Sequence, residues 1–257
     1  FKKAIELDDK YALAYAGIAD AYSYMFRYAD AARENAEQAM NYAEQAVEMD
    51  PDSAEARASR GLALFINERY DEAEEQFKLA AQLNPNLYEA WYYAGLAYSS
   101  QGEFHKAIEM YKKAGEVNPL DYQSMMFLGQ AYASLGQKHD EMKARVASIE
   151  LIEQHMEMNP HDTRALCIAA NQLSNVGEFA RGEKMAEEAL VRGKDEPLVL
   201  YNIACFFSVK GDVARAVSLL EDAVAKGWGD KAWLETDSDL DPLREDPSFQ
   251  ALLNRID

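Results

Sequence analysis

The sequence predicts an all-α fold: a right-handed α-α superhelix (solenoid) of about six helix-turn-helix repeats, with a preceding half repeat and a C-terminal capping helix. Three observations carry this. Gly61, Gly95 and Gly129 stand 34 residues apart. Pro51, Pro85 and Pro119 keep the same step, as do Ala73 with Ala107, Phe77 with Tyr111 and Ala80 with Ala114. Further along, Leu166 pairs with Leu200, Ala170 with Ala204, Leu173 with Phe207, Gly177 with Gly211 and Ala189 with Ala223, all at that spacing. A 34-residue period belongs to a two-helix unit that buries its apolar face only against its neighbours.

Taken in order, residues 1–11 read as the second half of a repeat, since Phe1 and Ala4 match Ala43 and Ala46 one lengthened period on. The expectation is therefore a fragment of a longer protein or a lost natural start. Full repeats follow at about 12–53, 54–87, 88–121, 122–162, 163–196 and 197–226. Small residues let the helices approach closely, and Pro51, Pro85, Pro119 and Pro160 each end a second helix. Two repeats are long: Asp9 to Pro51 is 42 residues and Pro119 to Pro160 is 41, which exceed 34 by 8 and 7. Both additions are near two turns at about 3.6 residues each, so the second helix is expected to lengthen without rotating its apolar stripe. The stripes would be Ala32, Ala36, Ala39, Ala43 and Val47, then Met142, Val146, Ile149, Ile152 and Met156. Segment 227–257 leaves the repeat. Its turn residues are Gly227, Gly229, Pro242 and Pro247, and Phe249, Leu252, Leu253 and Ile256 mark an amphipathic closing helix. Trp228, Trp233 and Leu234 supply bulk to cover the last apolar face.

Composition bounds the function. At 257 residues and 49% hydrophobic, the chain can build a long continuous core, yet no segment approaches the roughly 18 apolar residues of a membrane helix. A net charge of −19 opposes nucleic acid and anionic membranes and steers basic partners in. Much of that acidity, such as Asp71, Glu72, Glu74, Glu75 and Glu183, Glu187, Glu188, falls on the outer faces of second helices. Two cysteines give no disulfide framework and no CxxC pair. Phosphate-cradling, nucleophile-elbow and HExxH motifs are all missing. His155 and His161 are six apart with Pro160 between, which suits surface histidines better than a metal pair. Asp237, Asp239 and Asp241 alternate as in a calcium loop, but Pro242 and Ser248 stand where that loop needs glycine and glutamate, so a solvated acidic turn is expected. Cys167 and Cys205 fall on neighbouring first helices as small buried hydrophobes.

The series Trp91, Gly95, Tyr98, Ala107, Tyr111, Ala114 and Pro119 resembles the tetratricopeptide repeat pattern, and the resemblance covers roughly residues 1–226. It implies a non-catalytic protein-protein interaction module with no cofactor or metal. The tail is similar to the ends of C-terminal tetratricopeptide modules in bacterial multidomain regulatory proteins. That implies a regulatory or sensory part of a larger enzyme or transcription regulator, or alternatively a self-assembling scaffold and possible homo-oligomer. A cytoplasmic location is expected, with the periplasm open because the beginning looks truncated.

The resemblance also places partners on the concave face lined by first helices. Carried over residue by residue, that face holds Phe65, Tyr92, Leu96 and Met126 as an apolar and aromatic middle. Gln130, Asn171, Asn175, Tyr201 and Asn202 follow as uncharged hydrogen-bonding groups. Family members that clamp acidic C-terminal tails use lysine and arginine there, because a carboxylate needs charge-assisted donors. The eighteen carried positions, which include Asp20 and Ser23 in the first repeat, hold neither, with Arg164 only at a flank. The expected ligand is thus an extended or helical peptide other than an acidic tail.

Overall fold

The computed structural model describes residues 1–28, 32–228 and 231–256. Gly229 lies outside the described residues, and so does the side chain of Trp233. Every described regular element is helical. The chain forms two compact units, residues 1–141 and 142–257.

The first unit opens with α1 (Lys2–Leu7) and continues as helix pairs: α2 (Ala12–Tyr28) with α3 (Arg33–Met49), α4 (Ala54–Ile66) with α5 (Tyr70–Leu83), and α6 (Tyr88–Ser100) with α7 (Phe104–Val117). Then come α8 (Tyr122–Ser134) and α9 (Lys138–Met158), most of which belongs to the second unit. That unit holds α10 (Thr163–Asn175) with α11 (Phe179–Gly193) and α12 (Pro197–Lys210) with α13 (Val213–Ala225). It closes through α14 (Lys231–Thr236), a 3-10 helix (Ser238–Leu243) and α15 (Pro247–Leu253). The first helix of each pair is called its A helix and the second its B helix.

The pairing follows from side-chain volume. A Cβ at Gly61 would lie 2.4 Å from the Phe77 ring, and one at Gly95 would lie 2.5 Å from Tyr111. Each aromatic on a B helix therefore fills the space its A-helix glycine leaves vacant. Ala73, Ala80, Ala107 and Ala114 are fully buried at the same crossings. Helix starts are set by side chains accepting from orphan amides, Ser53 from Ala56, Asp121 from Ser124, Asp162 from Ala165 and Asp212 from Arg215. Asp121 also accepts from the Tyr88 hydroxyl at 2.7 Å, which ties α8 to α6. A to B turns use a left-handed residue, Gly102, Gly136, Gly177 and Gly211, with Glu68 in that conformation between α4 and α5.

The long repeats differ from expectation in detail. In the first, the extra residues are shared, α2 and α3 each having 17 residues against 13 and 14 in α4 and α5. Ala32 caps α3 in an exposed position, while Ala36, Ala39, Ala43 and Val47 are buried. In the second repeat the gain is all in α9, with 21 residues. There Ile149 and Ile152 are buried, but Met142 and Val146 are exposed.

Candidate functional site

On the A-helix face of the first unit, the expected groove residues are mostly a sealed floor. Phe65 is 7% exposed, packs beside Tyr70 with ring centroids 6.1 Å apart, and carries the Arg27 guanidinium 5.0 Å above its ring. Tyr92 is 2% exposed within an aromatic cluster of Tyr88, Tyr93, Tyr111 and Phe127. Leu96 and Met126 are also buried, whereas Gln130 is exposed.

Beside this floor, α2, α4 and α6 bring together a polar group that the sequence reading only half identified. Asp20 takes a hydrogen bond from the Ser59 hydroxyl and has the Glu89 carboxylate as a charged neighbour. Burial pushes the Asp20 carboxyl up to about 7, the Ser59 bond lowers it, and Glu89 raises it further. Its Oδ1 is shut away from water without a hydrogen-bond partner among the described residues, as is Ser23 Oγ one turn on. Tyr93 stands against Asp20 and meets Tyr24 edge-on, their centroids 6.5 Å apart. Asp20 and Ser23 were legible as groove positions carried over from the repeat resemblance. Tyr24, Arg27, Ser59, Glu89 and Tyr93 were not, because they fall between the carried positions.

In the second unit, Asn171 is part-buried on α10 with an unpartnered Oδ1, and its backbone oxygen accepts from Asn175 at 2.8 Å. Asn202 on α12 is part-buried and bonds back to the Leu198 carbonyl at 2.7 Å. Tyr201 is already engaged by the chain itself. Its ring stacks under Trp228 at 4.1 Å, and its hydroxyl donates to Asp237. Cys205 Sγ lies 3.7 Å from the same carboxylate. The acidic turn is thus not fully solvated, contrary to expectation. Asp237 caps the 3-10 helix by accepting from the Asp239 amide at 2.9 Å, and burial with the nearby Asp237 charge pushes Asp239 up to about 6. Leu240, Leu243 and Phe249 are fully buried beneath this tail.

The cysteines are free and buried. Burial raises both thiols, Cys167 to about 12, with Glu196 and Asp162 adding to the shift, and Cys205 with help from Asp237 and Asp239. His155 pairs with Asp162 at 2.8 Å rather than with His161. No group of three or more potential metal ligands occurs among the described residues. No described helix is long and apolar enough to cross a membrane. On the outer side of the first unit, Phe77, Ala81, Ala90, Trp91, Ala94 and Met110 help line a recess of about 270 Å³.

Comparison with known proteins agrees with this architecture. Tetratricopeptide repeat profiles match residues 24–88 and 88–119. The mouse interferon-induced protein with tetratricopeptide repeats 3 is 32% identical over 85 residues, which are 33% of this chain and 21% of that protein. A solved human IFIT1 dimer with m7Gppp-AAAA superposes with a TM-score of 0.68 at 18% identity, covering 88% of this chain and 54% of the other. The APC/C hetero-tetramer Cut9-Hcn1 gives 0.62 at 13% identity, covering 99% and 44%. This chain therefore spans about a fifth of the mouse relative and about half of each solved chain. The 34-residue register, the glycine-aromatic crossings and the matched profiles converge on one conclusion: residues 24–119 are tetratricopeptide repeats, and the chain has the fold of a tetratricopeptide repeat protein.

Proposed function

We propose that this chain is a protein-protein interaction module that holds an extended or helical partner segment against its A-helix faces. The observation that carries the reading is the layering of those faces. Aromatic and aliphatic residues form a sealed floor on the first unit, where Gln130 remains exposed, and on the second unit Asn171, Asn175 and Asn202 are part-open uncharged amides. Asn171 keeps part of its surface open, and its amide suits hydrogen bonding to the backbone of a bound segment. The human structure with m7Gppp-AAAA is alike in fold at 18% identity, and a net charge of −19 works against phosphate binding here.

A random-peptide display selection on the whole chain, followed by fluorescence anisotropy of the selected peptides, tests this. Asn171→Ala or Gln130→Ala is expected to weaken the selected peptides at least about 10-fold, equivalent to about 1.4 kcal/mol. The outer-face control Glu75→Ala is expected to leave them unchanged. Peptides indifferent to both A-helix changes overturn the proposal.

A further inference from the structure

We infer that the A-helix face of the first unit carries a receptor for one basic side chain, a lysine or arginine of the bound segment, formed by the Asp20 and Glu89 carboxylates with Tyr24 and Tyr93 as its aromatic wall. The inference rests on the groove reading above and names the chemistry of its partner.

The first support is an imbalance of charge. Asp20 and Glu89 come from A helices two repeats apart, yet they are electrostatic neighbours. Neither has an ion-pair partner among the described residues. Holding two carboxylates close without a cation is unfavourable, and moving one of them out of water adds to the cost. The upward shift of the Asp20 carboxyl, from burial first and from Glu89 as well, reports both effects. A bound ammonium or guanidinium removes them together.

The second support is unmet hydrogen-bonding capacity. Asp20 Oδ1 accepts nothing and is cut off from water, although the residue as a whole keeps part of its surface open. Ser23 Oγ, on a fully buried side chain one turn along α2, is likewise unpartnered. Buried oxygens in a native fold normally find donors, so this end of α2 is short of them, and the open part of the Asp20 carboxylate is where a lysine or arginine head, with its three or five, would meet it.

The third support is the wall. Tyr24 and Tyr93 meet edge-on 6.5 Å apart, and Tyr92 lies 5.8 Å behind Tyr93. Aromatic faces beside carboxylates suit the methylene stem and the charged head of a basic side chain at once. The protein already uses this chemistry nearby, where the Arg27 guanidinium lies 5.0 Å over Phe65. The overall charge of −19 favours encounter with basic segments over acidic ones.

The test uses the whole chain and labelled nonapeptides of alanine, leucine and asparagine with one central lysine, arginine or Nε-acetyl-lysine, followed by anisotropy at physiological ionic strength. The lysine and arginine peptides are expected to bind at least about 10-fold tighter than the acetylated one. That ratio is expected to fall to near one in Asp20→Asn and in Glu89→Gln, and to persist in Glu75→Gln, which removes a like charge from the outer face. Circular dichroism checks that each variant keeps its helices, and Glu89, part-buried at the start of α6, provides the variant least coupled to folding. Equal binding of lysine and acetyl-lysine peptides, or a ratio that survives both changes, overturns the inference and leaves the groove reading standing. Failure of the wild-type chain to bind any of the peptides overturns both.

Discussion

The Tyr201 hydroxyl donates to the carboxylate of Asp237, joining the A helix of the last repeat to the tail 36 residues later. The tail is thereby fastened to the A-helix face it caps. Within the tail itself, Arg244 donates to the Leu234 carbonyl at 2.5 Å and to the Asp237 carbonyl at 2.7 Å, which holds its turn together.

Loosening that fastening has two separable outcomes. Tyr201→Phe leaves the Asp237 carboxylate short of a donor in a part-buried place and is expected to cost about 1–2 kcal/mol in urea unfolding. Leu240→Ala empties a fully buried position in the 3-10 helix and is expected to cost about 2–4 kcal/mol. A Leu240→Ala chain as stable as wild type would show that the tail does not cap the last repeat.

The glycine-aromatic crossings predict a paired effect. In Gly61→Ala the new methyl would lie 2.4 Å from the Phe77 ring, so the ring or the helix must move, at an expected cost of about 1–3 kcal/mol. Phe77→Leu makes room while losing aromatic packing. In the double variant the two costs are expected to be less than additive, by at least about 0.5 kcal/mol in a thermodynamic cycle. Additive losses would mean that the two residues do not share one space.

Glu68 sits with φ 60° at a register where Gly102 and Gly136 follow at 34-residue steps. A side chain in the left-handed region costs about 1 kcal/mol that glycine does not incur. Glu68→Gly is therefore expected to stabilise the protein by up to about 1 kcal/mol, read from the urea midpoint. Destabilisation would show that the Glu68 side chain outweighs its backbone strain.

How far the sequence could be read divides along the same physical line. Gly61, Gly95, Phe77 and Tyr111 were legible because interlocking volumes recur with the repeat. The period phases a residue onto a face, but it does not say whether that face is open. Tyr92 and Phe65 were therefore expected as ligand contacts, while both lie in the floor. The fate of Tyr201 was hidden for a different reason. Its partners, Trp228 and Asp237, belong to the segment where the period ends, so no spacing links them. The lengthening of the first long repeat was misassigned to its B helix because an insertion count does not locate the insertion.

The cysteines are expected to be inert. Both thiols are buried and shifted upward, so the thiolate fraction at neutral pH is small and access is poor. Reaction of the native chain with Ellman's reagent is expected to be slower than that of the urea-unfolded chain by at least about 100-fold, roughly the opening penalty of a 3 kcal/mol local fluctuation. Equal rates would show that the A-helix face around Cys167 and Cys205 is open.

Asp20 gives a pH dependence with a definite sign. Its carboxyl titrates near 7 in the folded chain against an ordinary value of 3.8, so between those limits the folded state holds a proton that the unfolded state has released. Stability from this group is thus fully present below about pH 4 and is lost as pH rises through about 7. A three-unit shift corresponds to about 4 kcal/mol, and the part-open position of Asp20 brings the expected loss nearer 2 kcal/mol. Asp20→Asn keeps a neutral partner for Ser59 at every pH. The wild type is expected to fall behind this variant by about 2 kcal/mol between pH 4 and pH 8 in parallel urea titrations. A constant difference across that range would show that Asp20 ionises in the folded state as it does in the unfolded chain.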